Sequence, residues 1–364
     1  MSHRDVRRHV GQLLFAGFAG RDVPVELRAL AREFDLGGAV LFARNVEAPE
    51  QVAELAHGLR LLGLEHPAWV AVDQEGGRVA RLRDPFTRWP PMAALGRADD
   101  PGLASRFARA LARELAAVGI TLDFAPVLDV HTNPANPVIG DRALAQDASR
   151  VARLGRAIVE GLQGEGIAAC GKHFPGHGDT SVDSHHELPV VEHDADRLHA
   201  VELEPFREAI AAGVASIMTA HVLVPALDDE RPATLSRAIV DGLLRTELGY
   251  DGLVFTDDLD MKAASGHRAI GEVAVDAVAA GCDGLLICGV DHDRQVQALE
   301  ALIHAVEAGT LPAARVETAW RRGRKAKERF LAAEPGPPRT PAALRDLIGR
   351  VEHTAIAEEM ARFA

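Results

Sequence analysis

The chain has 364 residues, of which 47% are hydrophobic and 4% aromatic, a composition typical of a globular protein with a core of mainly Ala, Leu and Val. Acidic residues outnumber basic residues by 53 to 40, and the net charge of −13 disfavours nucleic acid as a partner. No apolar run approaches the roughly 18 residues of a membrane span, so we also expect no membrane partner.

The first residues and the cysteines bear on the cellular compartment. Three arginines precede the apolar run 13–19, an arrangement that resembles a short signal peptide. Gly11 and Gln12 interrupt the pattern and no typical cleavage site follows, so we favour a short helix that leads into a first strand. The three cysteines are an odd number in apolar surroundings and indicate no disulfide framework. We therefore predict a cytoplasmic protein.

Short apolar runs alternate with longer segments of helical periodicity along the chain. In residues 103–118, for example, apolar residues recur every three or four positions, after Asp100-Pro101 and before Gly119. The strand candidates are Leu13–Gly17, Gly38–Phe42, Ala68–Asp73, Leu122–Leu128, Ala168–His173, Ser216–His221, Gly252–Asp257 and Gly284–Cys288. The helix candidates include Gln51–Leu61, Leu103–Val118, Ala148–Gln163, Ala195–Ala212, Ala238–Leu248, Ala269–Ala280 and Arg294–Ala308.

Eight strands that alternate with helices predict an α/β protein, either a (β/α)₈ barrel or a doubly wound sheet. Polar residues decide between the two. Asp73, His173, His221 and Asp257 each stand at the C-terminal end of a different strand. Active-site residues of a barrel are spread over strand ends in this way, whereas a doubly wound sheet gathers them near one switch point. We therefore predict a single (β/α)₈ TIM-type barrel.

The last part of the chain predicts a linker and a helical tail. Residues 332–341 read AAEPGPPRTP, after which Thr340 and Pro341 form a helix-start signal. We expect the barrel to occupy residues 1–333, and residues 334–364 to form a linker and a C-terminal helix that packs on it. That helix would present one apolar face, made by Leu344, Leu347, Ile348 and Val351.

The loop from Lys172 to His186 carries the densest set of chemically active side chains. Asp183-Ser184-His185 places a carboxylate two residues before an imidazole, where it can accept one ring N–H and raise the pKa of the other nitrogen. A solvated polar loop is the plain alternative. Histidines and aspartates in this loop also resemble zinc or iron ligands, but Phe174-Pro175-Gly176 prevents a helical two-histidine face. We therefore expect no metal.

Two further acidic sites follow strands. Asp257 and Asp258 end the seventh strand, where one of them should point into the barrel mouth and suit nucleophilic attack on an anomeric carbon. A helix cap or an ion pair is the alternative. The run 73–78, DQEGGR, follows the third strand, with Arg81 beyond it; these side chains suit sugar hydroxyls, or they form structural ion pairs.

Taken together, these motifs resemble the β-N-acetylglucosaminidases of glycoside hydrolase family three that serve bacterial cell-wall recycling. The resemblance runs from about residue 11 to residue 289. It is carried by VDQEGGRVAR at 72–81, FAPVLDV at 124–130, VIGDR at 138–142, KHFPGHGDT at 172–180, DSHHELP at 183–189, IMTAHV at 217–222 and FTDDLDM at 255–261.

The resemblance implies a role for particular residues. Asp257 would be the nucleophile, and Asp183 with His185 the acid/base dyad of a retaining exo-β-N-acetylglucosaminidase. The sugar would be held by Asp73, Arg81, Arg142, Lys172 and His173. Ala143-Leu144 stands where the family more usually has Ser-Phe, which bears on subsite details and not on the chemistry.

The implied partner is a small saccharide, a muropeptide-derived N-acetylglucosaminide, acted on by a monomer without any cofactor. Two alternatives stay open. A phosphorylase could use the same residues, because a histidine acid leaves no second carboxylate to repel phosphate. A metallohydrolase or a noncatalytic sugar-binding barrel would instead be recognised by metal analysis and by a chromogenic N-acetylglucosaminide.

Overall fold

A computed structural model describes residues 3–181, 188–266, 268–331 and 334–364. Its strands are β1 (Leu14–Ala16), β2 (Gly38–Leu41), β3 (Trp69–Val72), β4 (Gln74–Gly76), β5 (Val79–Ala80), β6 (Leu122–Asp123), β7 (Ala168–Phe174), β8 (Ser216–Thr219), β9 (Leu253–Asp258) and β10 (Gly284–Ile287). Strands β4 and β5 form a separate antiparallel hairpin. The other eight pair in parallel and in chain order, and β10 closes on β1, so the predicted (β/α)₈ barrel is confirmed.

Helices surround this barrel. The α-helices are α1 (His3–Gly11), α2 (Val25–Phe34), α3 (Pro49–Arg60), α4 (Met92–Ala98), α5 (Pro101–Ala117), α6 (Ala148–Gly164), α7 (Ala195–Arg197), α8 (Glu204–Ala211), α9 (Lys262–Ser265), α10 (Ile270–Ala280), α11 (His292–Glu307), α12 (Ala313–Phe330), α13 (Pro341–Arg345) and α14 (Val351–Ala361). Short 3₁₀ turns cover Ala43–Asn45, Gly140–Arg142 and Ala233–Leu235, and Leu198–Glu202 and Ala238–Glu247 are π-helical.

Two apolar layers hold the fold together. One lies between the barrel and the helices, where the periodic faces predicted from the sequence are buried. The other fills the barrel interior, where Phe15, Phe124 and Phe255 pack edge to face. Leu331 and Phe330, at the end of α12, extend this inner layer. The filled interior makes the barrel a packed core and not an open channel.

The segment 195–212, predicted as one helix, is divided into three pieces. Helix α7 runs into a π-helical turn over Leu198–Glu202, and α8 begins afterwards with Pro205 in its first turn. Pro205 has no N–H to donate to a preceding turn, which is why a regular helix restarts there.

The C-terminal tail also differs from the single helix that the pattern predicts. Thr340 does cap α13, accepting a hydrogen bond from the Ala343 N–H. Gly349 then adopts a positive φ of 61°, and α14 starts two residues later at Val351. As a result Leu344 and Ile348 are buried, whereas Val351 is 83% exposed.

All three cysteines are buried and unpaired. Within the part of the chain that the structure describes, no helix combines the length and the apolar character needed to cross a membrane.

Candidate active site

A cavity of about 310 Å³ opens at the C-terminal end of the barrel strands. Its lining includes six of the eight site residues expected from the sequence, namely Asp73, Arg81, Arg142, Lys172, His173 and Asp257. The inner apolar layer closes it from below through Val40, Phe124, Met218 and Leu286. The other two expected residues, Asp183 and His185, lie outside the described residues.

Lys172 is the centre of a buried charge cluster. Its Nζ lies 2.7 Å from Oδ1 of Asp73 and 2.6 Å from Oε1 of Glu75. Arg142 donates two parallel hydrogen bonds of 2.8 Å to the same Glu75 carboxylate. Arg81 completes the cluster by donating to Oδ2 of Asp73 at 3.2 Å. Five side chains from three parts of the chain are thereby fixed against one another before any ligand arrives.

Burial and pairing oppose each other in this cluster. Burial disfavours the charge on Glu75, but Lys172 and Arg142 outweigh it and hold the pKa of Glu75 well below its usual range. Burial likewise opposes the charge on Lys172, yet Asp73 and Glu75 raise the pKa of Lys172 above its usual range. Both groups are therefore charged at neutral pH.

His173 is held by a buried aspartate. Its Nδ1 lies 2.7 Å from Oδ2 of Asp129, whose other oxygen accepts the backbone N–H groups of His173 and His177. Because a carboxylate only accepts, Nδ1 carries a hydrogen and Nε2 is the ring nitrogen that could contact a ligand. The β7–β8 register shifts between Lys172 and Phe174, and Lys172 and His173 both line the cavity.

Asp257 and Asp258 both line the cavity, so the prediction that only one could aim into the barrel mouth is wrong. The pairing of β9 with β10 shifts register between Phe255 and Asp258, which breaks the strict alternation of side chains. Oδ1 of Asp257 accepts the Asp258 N–H at 2.7 Å, and Oδ1 of Asp258 accepts the N–H groups of Asp260 and Cys288.

The two neighbouring carboxyls differ in acidity. Burial would raise the pKa of Asp257, but the neighbouring imidazoles of His221 and His173 lower it below its usual range. Burial dominates for Asp258 and raises its pKa to about 6, against the effect of its two amide hydrogen bonds. Asp257 therefore stays ionised to lower pH than Asp258 does.

Comparisons with known proteins agree with this geometry. The sequence-family model of the glycosyl hydrolase family 3 N-terminal domain matches residues 5–324 of this chain. The chain belongs to glycosyl hydrolase family 3. A β-hexosaminidase from Nitrosomonas eutropha is 44% identical over 273 residues, covering 73% of this chain and 77% of that protein.

Solved structures of the family are also similar. A family 3 β-N-acetylglucosaminidase from Paenibacillus sp. str. FPU-7 has a TM-score of 0.93 at 44% identity, over 98% of this chain and 68% of that chain. NagZ from Neisseria gonorrhoeae, in complex with N-trifluoroacetyl-D-glucosamine, has a TM-score of 0.77 at 32% identity, over 97% of this chain and 98% of that chain. The expectation of a glycoside hydrolase is confirmed.

The family 3 site contains acidic residues whose partners the sequence did not specify. Glu75 joins Lys172 to Arg142, and Asp129 orients His173. Each is an acidic residue within or beside an apolar strand run, and that placement is the sequence signal that could have identified them. Asp123 carries the same signal: its pKa is raised well above the usual value by burial, and its Oδ1 accepts the Gln74 N–H.

His221 lies just beyond the C-terminal end of β8, where the sequence placed it. It is fully buried, with Nε2 3.0 Å from the carbonyl oxygen of Asp258 and Nδ1 2.8 Å from Oγ1 of Thr234. Since a carbonyl only accepts, Nε2 carries the hydrogen. His221 therefore acts on the site through the Asp257–Asp258 strand end.

The loop that leads toward residues 183 and 185 is anchored at its start. Asn136 donates to the carbonyl of His177 at 2.8 Å and to Oγ1 of Thr180 at 3.1 Å. Thr180 Oγ1 also lies 2.7 Å from Nδ1 of His177, a cavity residue whose pKa burial lowers to about 4. Among the residues described, no three His, Cys, Asp or Glu side chains are arranged to hold a metal ion.

Proposed function

We propose that this protein is a retaining exo-β-N-acetylglucosaminidase that removes N-acetylglucosamine from peptidoglycan-derived muropeptides in the cytoplasm. The observation that carries the proposal is the position of Asp257, an ionised carboxylate in a cavity that is also lined by fixed, paired charges. A retaining glycosidase needs a nucleophile of this kind and a rigid set of polar groups that holds the sugar ring beside it.

Asp257 would attack the anomeric carbon and form a glycosyl ester. Its lowered pKa keeps it ionised at neutral pH, and the hydrogen bond from the Asp258 N–H fixes one of its oxygens. Both properties suit a nucleophile, because attack requires the anion in a defined orientation.

The sugar hydroxyls would be bound by Asp73, Arg81, Lys172 and His173, with Arg142 bound to Glu75 beside them. Carboxylates accept and cations donate hydrogen bonds, so the cluster matches hydroxyl groups that do both. The packed barrel interior closes the cavity below, which favours entry of a terminal sugar and hence exo action.

Acid/base catalysis is assigned to His185, with Asp183 as its orienting partner. His185 would protonate the leaving oxygen in the first step and take a proton from water in the second. The described carboxyls of the cavity suit this role less well. Glu75 is committed to Lys172 and Arg142, while Asp258, with a pKa of about 6, is the alternative acid.

The choice of N-acetylglucosamine rests on the relatives: the Paenibacillus enzyme is a β-N-acetylglucosaminidase, and the Neisseria structure holds N-trifluoroacetyl-D-glucosamine. A panel of nitrophenyl glycosides, assayed with and without phosphate, tests it. We expect free N-acetylglucosamine as the product and no dependence on phosphate or EDTA. N-acetylglucosamine 1-phosphate would indicate a phosphorylase, and inactivity toward every glycoside would contradict an enzyme of this class.

A leaving-group series tests the acid. His185→Ala should lose about 10²–10⁴-fold in kcat/KM on disaccharides, because a sugar alkoxide leaves only with a proton. The loss on nitrophenyl glycosides should be much smaller, since a nitrophenolate needs little help. Asp183→Ala should give a milder form of this pattern, and should move the basic limb of the pH–rate profile to lower pH. Equal losses for all leaving groups would mean that His185 only binds or shapes the site.

A further inference from the structure

Residues 84–91, called the 84–91 segment below, connect the β4–β5 hairpin to α4. They lie between α5 and the C-terminal residues 341–364, which are called the tail below. Phe86 and Trp89 anchor the segment in the core, and Trp89 meets Phe107 of α5 edge to face at 5.0 Å. Helix α14 of the tail packs against both α4 and α5.

Glu114 of α5 joins the segment to the tail. This carboxylate is 2% exposed and accepts hydrogen bonds from both sides. From the segment, Thr87 donates its backbone N–H at 3.0 Å and its hydroxyl at 2.6 Å. From the tail, Gly349 donates its N–H at 2.9 Å and His353 contributes Nδ1 at 2.8 Å. A buried carboxylate that lost these donors would carry an uncompensated desolvation cost.

The tail also touches the segment directly. Gly349 has a positive φ, and a Cβ on it would collide with the carbonyl oxygen of Pro85. Beside this contact, a cavity of about 390 Å³ separates the segment from Thr354, Ala357 and Glu358 of α14. Side chains do not fill that space. The tail is therefore linked to the 84–91 segment by the hydrogen bonds to Glu114 and by the contact of Gly349 with Pro85.

The 84–91 segment in turn supports the hairpin that carries the sugar-binding residues. Gly77 donates its N–H to the carbonyl of Trp89 at 2.9 Å, and a Cβ at Gly77 would lie only 2.8 Å from Pro91. Within the hairpin, the Gln74 side chain accepts the backbone N–H of Arg81 at 2.8 Å. The position of Arg81 against Asp73 is thus set by a chain of contacts that begins in the tail.

We infer that Glu114 and His353 are positioning residues for the sugar subsite, and that the tail is part of the construction of the active site. Docking of His353 on Glu114 fixes the 84–91 segment, which fixes the hairpin and so the Asp73–Arg81 pair. Only the kinetic consequence of this inference, a change in KM, rests on the proposed function.

Four variants test this role. His353→Leu removes the donor to Glu114, whereas His353→Asn places an amide N–H near the position of Nδ1. Arg106→Ala is the matched control, because it removes an exposed ion pair with Glu359 of the same tail helix without touching the 84–91 segment. Thr87→Val, which removes one hydroxyl from the segment side, covers the case in which His353→Leu does not fold.

We expect His353→Leu to raise KM for a nitrophenyl N-acetylglucosaminide about tenfold with kcat nearly unchanged, because binding groups are displaced while Asp257 is not. Asn at 353 should restore KM, Thr87→Val should give a smaller rise, and Arg106→Ala should match wild type. Amide hydrogen exchange should quicken over residues 73–91 in the Leu variant and not in the control.

Unchanged exchange over residues 73–91 in folded His353→Leu, or equal changes in kcat and KM, would overturn the inference. A wild-type protein that does not turn over the glycoside would contradict the proposed function instead. The exchange data alone would then decide the positioning role, since they require no substrate.

Discussion

Replacing Asp257 by Asn should lower kcat on the order of 10⁵-fold while the fold stays intact. The amide keeps an oxygen that can accept the Asp258 N–H, so the strand end retains its hydrogen bond. It loses the negative charge, however, and cannot form the glycosyl ester. Steady-state kinetics on a nitrophenyl N-acetylglucosaminide, with circular dichroism as the check on folding, measure the effect.

Asp258→Asn is the matched control for that experiment. Its side chain can still accept the amide hydrogens of Asp260 and Cys288, so the two variants change the same functional group at adjacent positions of one cavity. We expect a loss of about tenfold or less for Asp258→Asn, as for a neighbour that forms no covalent bond. A larger loss at Asp258 than at Asp257 would exchange the roles of the two residues.

Lys172→Met should have the second largest effect, on stability as well as on activity. Lys172 is 2% exposed and neutralises two carboxylates, so its removal leaves buried negative charge without its partner. Breaking a buried ion pair from one side costs about 3–5 kcal/mol in the free energy of unfolding. Sugar binding should weaken in parallel, because Asp73 loses the cation that orients it. Urea unfolding at neutral pH measures the first effect.

The stability deficit of Lys172→Met should depend on pH in a defined direction. In wild type, the lowered pKa of Glu75 gives a stabilisation that is complete above its usual value of 4.5 and is lost as the pH falls below it. The raised pKa of Lys172 gives a second stabilisation, which is complete below the usual lysine pKa of 10.5 and is lost at higher pH. Without Lys172 the pKa of Glu75 rises, and protonation then relieves the unpaired charge. The deficit relative to wild type should therefore narrow on acidification from pH 7 to pH 4, and a deficit that grows instead would contradict the cluster's electrostatics.

The barrel could be predicted because its signals are local. Each strand is a short apolar run, and polar residues such as Asp73 and Asp257 follow runs that end at one face of a parallel barrel. The tail helix could not be predicted as it is, because Gly349 takes a left-handed conformation to fit against Pro85, a residue distant in the chain. Periodicity carries no information on such a contact.

The site residues were predictable by type and less so by role. Asp73, Lys172 and His173 lie in the cavity as expected, but the ion pairs that hold them depend on Glu75 and Asp129, whose partners come from distant parts of the chain. The strict alternation of strand side chains failed at Asp257 and Asp258, because a register shift with β10 is a property of the pair of strands and not of one sequence segment.

Covalent trapping on the wild-type enzyme tests directly whether Asp257 is the nucleophile. A 5-fluoro-N-acetylglucosaminyl fluoride forms the glycosyl-enzyme faster than water removes it, and proteolysis with mass spectrometry then locates the sugar. We expect one equivalent of label on Asp257, in the peptide that spans residues 255–261. Label on Asp258, or turnover of the reagent without any labelled carboxylate, would contradict it.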